Sequence, residues 1–201
     1  MLDSIVHTTV RISDQEKAFI EQVVMGVKFP WFWQAAQDFN TAFFHNQHLP
    51  EWFNKDLDHY NSAFFGHTLM RRSRDGGESH LTRSADDFSV YYEFFIELFH
   101  RWMRDNGIGY TRIFRANLNL NWHNTGRHTE PHVDHEWPHH NFIMYLNDCD
   151  AGETVLWPDD FSASYLIPPK SYTALAFKQQ WHAHRYPAAE QRRIVFVVTY
   201  I

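Results

Sequence analysis

The feature that most constrains this chain is a change of character near residue 107. From residue 108 onward it reads as short extended segments cut by Gly, Pro and Asn/Asp. These segments fall at 110–121, 128–135, 141–147, 153–157, 163–167, 172–177, 180–186 and 193–200. Many short strands with that punctuation predict an antiparallel jelly roll or barrel. Residues 1–107 read instead as a helical buttress with a few strands, so the fold class is α+β, mainly β, in a single domain of 201 residues.

The buttress begins with an expected strand from Ile5 to Ile12. Ser13-Asp14-Gln15-Glu16 has the form of a capping box, and Phe19, Ile20, Val23, Val24 and Val27 follow at helical spacing until Pro30 stops the helix. The aromatic run from Phe29 to Trp33 is expected in the core, residues 40–60 are polar and turn-like, and Phe64–Leu69 reads as a strand. Arg71 to Ser79, with Arg72, Arg74, Gly76 and Gly77, reads as a solvated loop. Asp86-Asp87 is expected to open a second helix with Tyr91, Phe94, Phe95, Leu98, Phe99 and Trp102 on its apolar face, closed near Gly107.

Composition narrows the function classes. Aromatic residues reach 17%, too much apolar area for a disordered chain. The formal net charge of -6 implies no extended nucleic-acid surface. There is no apolar run of about 18 residues for a membrane span, and MLDSIVHTTV lacks the form of a signal peptide. A single cysteine, Cys149, excludes an internal disulfide framework and fits a cytoplasmic setting. It lies in a turn without a His base nearby, so nucleophilic catalysis is not expected of it.

Histidine is over-used: 15 residues, eight of them between 123 and 184. The chemistry-bearing motif is Pro131-His132-Val133-Asp134. On a strand, residues two apart share a face, so His132 and Asp134 can present a nitrogen and a carboxylate oxygen to one ion. A third ligand is available in Trp181-His182-Ala183-His184, where His182 and His184 are again face-mates. Two His and one Asp form the facial set of non-heme Fe(II) oxygenases, which leaves three coordination positions open. The last strand opens with Arg192-Arg193, and an arginine at a strand mouth suits a carboxylate. Period 2 makes Arg193 a face-mate of Thr199. Asn117, Asn119 and Asn121 share one face, at a pocket mouth or toward solvent, and His139-His140 are expected on the surface.

Taken together, His132-x-Asp134, Asn141-Phe-Ile-Met-Tyr-Leu-Asn147, Ala151-Gly-Glu-Thr154, Ala174-Leu-Ala-Phe177, His182 and Arg193 resemble the Fe(II)- and 2-oxoglutarate-dependent oxygenases of the prolyl-4-hydroxylase-like group, as found in small phage and bacterial members. The resemblance covers residues 110–201 and implies a double-stranded β-helix. It implies Fe(II) held by His132, Asp134 and His182, with 2-oxoglutarate and O2 as cosubstrates. Family spacing places a Pro about five residues and the Arg about ten or eleven residues after the distal His. Pro187 and Arg193 fit that from His182 rather than His184. Arg193-Ile194-Val195 fits the family's Arg pattern better than Arg192-Arg193-Ile194.

The resemblance implies that Arg193 pairs with the distal carboxylate of 2-oxoglutarate, with Tyr145 adding a hydrogen bond near the site. Hydroxylation of a small-molecule or peptidyl substrate, a prolyl or other residue, is the implied reaction, with succinate and CO2 formed from 2-oxoglutarate. A phage-encoded chain would work in its host's cytoplasm. Two alternatives stand beside it: a cupin-like metalloenzyme without 2-oxoglutarate, and a non-catalytic metal-binding jelly-roll module. The sequence departs from the family at Ala151-Gly152, where Gly-Gly is usual, which is expected to alter only a turn.

Overall fold

A computed structural model describes residues 5–34, 63–71, 87–124, 128–135 and 137–201. The expected turns of 40–60, the loop beyond Arg71 and Asp86 lie outside the described residues.

Strand β1 (Val6–Thr9) leads into helix α1 (Asp14–Phe19). The capping box is present in both directions. Ser13 N–H donates to Glu16 Oε2 at 2.7 Å, and Glu16 N–H donates to Ser13 Oγ at 3.3 Å. The helix passes into one π-helical turn, Ile20–Val24, and ends at Met25, five residues before the expected stop at Pro30. Strand β2 (Phe32–Gln34) then runs along the sheet edge. Part of the aromatic run therefore departs from its expected burial: Phe29 is in the core, but Phe32 and Trp33 are each 58% exposed. All three residues of this short edge strand are exposed, so neither of its faces is fully covered.

Strand β3 (Phe64–Met70) follows, and then helix α2 (Tyr92–Asp105). Asp87 does not open that helix. Its carbonyl accepts Arg71 N–H at 2.9 Å and Phe88 bridges Met70, which extends the β3 ladder instead. The helix starts only after Ser89, whose Oγ accepts Tyr91 N–H. Its end meets expectation. Ile108 N–H donates to Met103 O and Gly107 N–H to Arg104 O, with Gly107 at φ 65°. That is the paired 6→1 and 5→2 closure for which a glycine without Cβ is suited.

The remaining strands are β4 (Ile113–Trp122), β5 (His140–Tyr145), β6 (Thr154–Trp157), β7 (Tyr165–Ile167), β8 (Thr173–Lys178), β9 (Trp181–His184) and β10 (Arg192–Tyr200). They form two antiparallel sheets. The larger runs β1-β8-β5-β10-β4-β3-β2 and the smaller β7-β6-β9. The fold is the double-stranded β-helix, and the strands of the first half extend its larger sheet. The expected strand 128–135 is reduced to two bridges, His128 to Arg185 and His132 to His182. Pro131 has no N–H to continue a ladder.

Alternation along the central strands divides the larger sheet into two faces. Ile194, Phe196, Val198 and Tyr200 of β10, with Phe142 and Met144 of β5, pack against Phe95, Phe99 and Trp102 of α2. Arg193, Val195, Val197 and Thr199 face the other way, toward the smaller sheet. Between the sheets, Tyr145, Leu175 and Phe177 pack with Leu156 and Ile167. Beyond that packing, an open cavity lies between the sheets.

Candidate metal centre

His132 and His182 lie directly opposite each other and exchange both backbone hydrogen bonds, each at 2.9 Å. Opposed residues of an antiparallel pair project to the same side, and the two rings sit with centroids 4.4 Å apart. His132 Nδ1–H donates to Glu130 O at 2.9 Å and His182 Nδ1–H to Gln180 O at 3.0 Å. Each backbone carbonyl fixes the tautomer and leaves Nε2 as the lone-pair end. Asp134 completes the set, with Oδ2 3.5 Å from His182 Nε2. Potential ligand atoms of His132, Asp134 and His182 all lie within 4.8 Å of one another. Two imidazoles turned to offer lone pairs, plus one carboxylate, fit Fe(II) in the facial arrangement.

The electrostatics keep His132 and Asp134 in ligand form. Burial, reinforced by His182, holds the His132 imidazole down to about 3. Burial alone would raise the Asp134 carboxyl; Arg115 above all, with His182 and His132, holds it well below the carboxylate range. Arg115 is a site residue that the sequence reading missed. Its Nη2 donates to Asp134 Oδ1, and its Nε donates to Thr199 Oγ1 at 3.2 Å. The available signal was periodicity, since Arg115 alternates with Asn117, Asn119 and Asn121 and faces Thr199 in register. Asn119 and Asn121 line the cavity, in line with the pocket alternative for that face.

At the other end of the cavity stands Arg193, 3% exposed. Its Nε donates to Gly152 O at 2.8 Å and its Nη2 to Thr154 Oγ1 at 3.0 Å. The guanidinium lies over the Tyr145 ring at 5.5 Å, and Tyr145 OH donates to Thr154 Oγ1 at 2.6 Å. Burial lowers the Arg193 pKa, but a guanidinium remains a cation in proteins. Among the described residues no carboxylate pairs with it. Arg192, the alternative arginine, is exposed.

The turn that holds Arg193 contains the departure at Ala151-Gly152. Ala151 sits at φ 59° and Gly152 at φ 76°. Ala151 thus occupies a left-handed conformation that costs an L-residue about 1–2 kcal/mol. A Cβ on Gly152 would lie 2.8 Å from Cys149 Sγ and 3.5 Å from Arg193 Cδ. Burial pushes the Cys149 thiol up to about 11, which agrees with a cysteine that is not a nucleophile.

Two further side chains line the cavity with buried polar atoms that meet no hydrogen-bond partner among the described residues. Asn141, 1% exposed, has both amide atoms buried and unbonded. It was legible only as part of the family-like run before Tyr145. His184, the alternative distal ligand, stands outside the three-residue cluster, with Nε2 buried and unpartnered. The surface reading of His139-His140 is corrected. His139 is buried against His135 at 4.9 Å, and His140 opens β5 and stacks on Tyr200. Strand β5 begins at 140, so the loop ends sooner than Pro138 suggested.

No family model and no curated protein sequence matches the chain. Its fold, however, matches solved structures over nearly its whole length. An oxidoreductase of the 2OG-Fe(II) oxygenase family from Burkholderia pseudomallei superposes with a TM-score of 0.65 at 15% identity, covering 98% of this chain and 84% of that one. A prolyl-4-hydroxylase from Pseudomonas putida gives 0.52 at 12% identity, covering 98% and 91%. A prolyl hydroxylase from Trichoplax adhaerens, solved with a hypoxia inducible factor peptide fragment, gives 0.54 at 13% identity, covering 98% and 83%. At such identities the likeness establishes the shared double-stranded β-helix. Among the described residues no helix is long and apolar enough to cross a membrane.

Proposed function

We propose that the protein is an Fe(II)- and 2-oxoglutarate-dependent oxygenase that hydroxylates a small-molecule or peptidyl substrate. The observation that carries this reading is Arg193: a buried cation, without a carboxylate partner among the described residues, in the same cavity as the His132–Asp134–His182 set. An uncompensated buried charge costs several kcal/mol, and a dicarboxylate that spans from metal to Arg193 removes that cost on binding. The fold shared with known 2-oxoglutarate oxygenases supports it.

Fe(II) would be held by His132 and His182 Nε2 and an Asp134 oxygen, and would supply the redox chemistry by which substrate, O2 and 2-oxoglutarate become hydroxylated product, succinate and CO2. The chain's own residues do the positioning. Glu130 and Gln180 carbonyls aim the two imidazoles, and Arg115 engages one Asp134 oxygen and keeps the other available. Thr154 and Gly152 hold the Arg193 fork, with the Tyr145 ring against it. Val195, Val197 and Ile143 supply a dry wall that limits water near the centre. A peptide partner is favoured by the Trichoplax neighbour, which carries one, and the cytoplasm is the proposed setting.

Purified protein with Fe(II) under air should convert 2-oxoglutarate to succinate slowly even without substrate. A protein that binds Fe(II) but neither binds nor consumes 2-oxoglutarate would overturn the reading. Arg193→Ala separates it from a cupin-like metalloenzyme: loss of 2-oxoglutarate binding supports the oxygenase, and unchanged activity supports the cupin-like enzyme.

A further inference from the structure

We propose that His184 completes the carboxylate receptor begun by Arg193 and Thr154, with its Nε2–H donating to the far carboxylate of a dicarboxylic 2-oxo acid. This rests on the oxygenase reading and adds to it a residue that selects the cosubstrate.

The placement comes from strand register. Thr154 and His184 are direct partners across β6 and β9, so their side chains project into the cavity side by side, with Cβ atoms about 4.5–5.5 Å apart. Thr154 Oγ1 already accepts two hydrogen bonds, from Arg193 Nη2 at 3.0 Å and from Tyr145 OH at 2.6 Å. Its own hydroxyl proton is therefore left to donate. Arg193 reaches across from β10 to Thr154, and His184 stands beside Thr154 on the smaller sheet.

The polarity assigned to His184 has its counterpart at the other nitrogen. Thr129 Oγ1 accepts the backbone N–H of His184 at 3.1 Å and lies 3.4 Å from its Nδ1. The Thr129 hydroxyl can donate to Nδ1, and in that tautomer the ring hydrogen sits on Nε2. This is opposite to His132 and His182, whose Nδ1 atoms donate to carbonyls and leave Nε2 bare. With that tautomer, three imidazoles line one cavity in two polarities: two turn lone pairs inward and one offers a hydrogen bond. His184 Nε2 is buried and meets no partner among the described residues. A guanidinium, a hydroxyl and an imidazole N–H, all donors, match the acceptor-only chemistry of a carboxylate.

The test is anaerobic calorimetry on the full chain loaded with Mn(II), titrated with 2-oxoglutarate and with pyruvate, which lacks the far carboxylate. His184→Ala should weaken 2-oxoglutarate binding about 10- to 100-fold, the worth of one hydrogen bond to a charged group, and leave Mn(II) and pyruvate binding within about twofold. His184→Gln, which keeps a donor, should recover most of the loss. Nitrogen-15 spectra of the metal-free wild type should show the Nε2–H tautomer at His184, a readout that survives if the variants misfold. Equal 2-oxoglutarate affinity in His184→Ala, an equal loss for pyruvate, or an Nδ1–H tautomer would each overturn the assignment of His184. A wild type that binds Mn(II) but no 2-oxo acid overturns the oxygenase reading itself, and this receptor with it.

Discussion

The two faces of the larger sheet come from the same strands and do opposite work. On β10, Ile194, Phe196, Val198 and Tyr200 join the helix-facing core, while Arg193, Val195 and Val197 line the cavity. On β4, Ala116, Leu118 and Leu120 face the helices, while Arg115, Asn119 and Asn121 line the cavity. The helix face buries aromatic rings and stabilises the fold. The cavity face buries charge and amide groups that weaken the fold until a ligand satisfies them. Stability and function are thus separated by a period of two residues, so substitutions on the two faces should have opposite signatures.

The largest effect is expected on the helix face. Phe99 of α2 is fully buried against Phe142, Tyr110 and Tyr200. Phe99→Ala should cost about 3–5 kcal/mol in urea unfolding, while the fraction still folded keeps its metal affinity. If metal binding fell in proportion, the two faces would not be separable.

The converse substitution is Arg193→Met. Removal of a buried cation without a carboxylate should leave the ligand-free protein as stable or up to about 1–2 kcal/mol more stable. Affinity for 2-oxoglutarate should fall at least about 100-fold, or about 2.7 kcal/mol, by calorimetry. A large loss of stability would show that Arg193 belongs to the structural side of the comparison.

A third effect sits at the edge of the helix layer. Arg101 Nη2 donates to Glu16 Oε1 at 2.8 Å, which ties α2 to α1. That bond, foremost among several, lowers the Glu16 pKa from 4.5 to about 2. A carboxyl whose pKa is depressed on folding stabilises the protein above its unfolded value. The contribution is present above pH 4.5 and is lost as pH falls toward about 2. Glu16→Gln should remove about 1–2 kcal/mol at neutral pH and flatten the stability curve across that acid window. The cavity face has no part in this, so 2-oxoglutarate binding at neutral pH should not change.

The smallest effect is at the turn beneath Arg193. Ala151→Gly relieves the left-handed strain but adds unfolded-state freedom, for a net gain of about 0.5 kcal/mol in thermal unfolding. A loss would mean that the Ala151 methyl makes a contact worth more than the strain.

Local rules are legible in the sequence because they depend on near neighbours. The Ser13–Glu16 box, the Gly107 closure, the alternation of β10 and the departure at Ala151 were all readable, because capping, φ and side-chain period are set within a few residues. Periodicity also placed Arg193 and Thr199 on one face. It failed where a distant segment competed for the same backbone. Asp87 looks like a helix start by charge, yet its carbonyl is taken by Arg71 of the β3 ladder. His139 looks like a loop residue, yet the start of β5 draws it into the interior.

The sequence by itself determined which residue types could meet: His132 with Asp134, a His of 182 or 184, and an Arg of 192 or 193. Tertiary structure gives the members of each pair different surroundings. His182 is opposed to His132 across a two-bond bridge, whereas His184 is opposed to Thr154 and has its Nδ1 beside the Thr129 hydroxyl. Arg193 points between the sheets and Arg192 to solvent. Only the folded chain brought Arg115 to Asp134, from a strand whose own sequence carries no metal motif. The reason is geometric. Period two states which residues share a face, but only strand pairing states what that face meets.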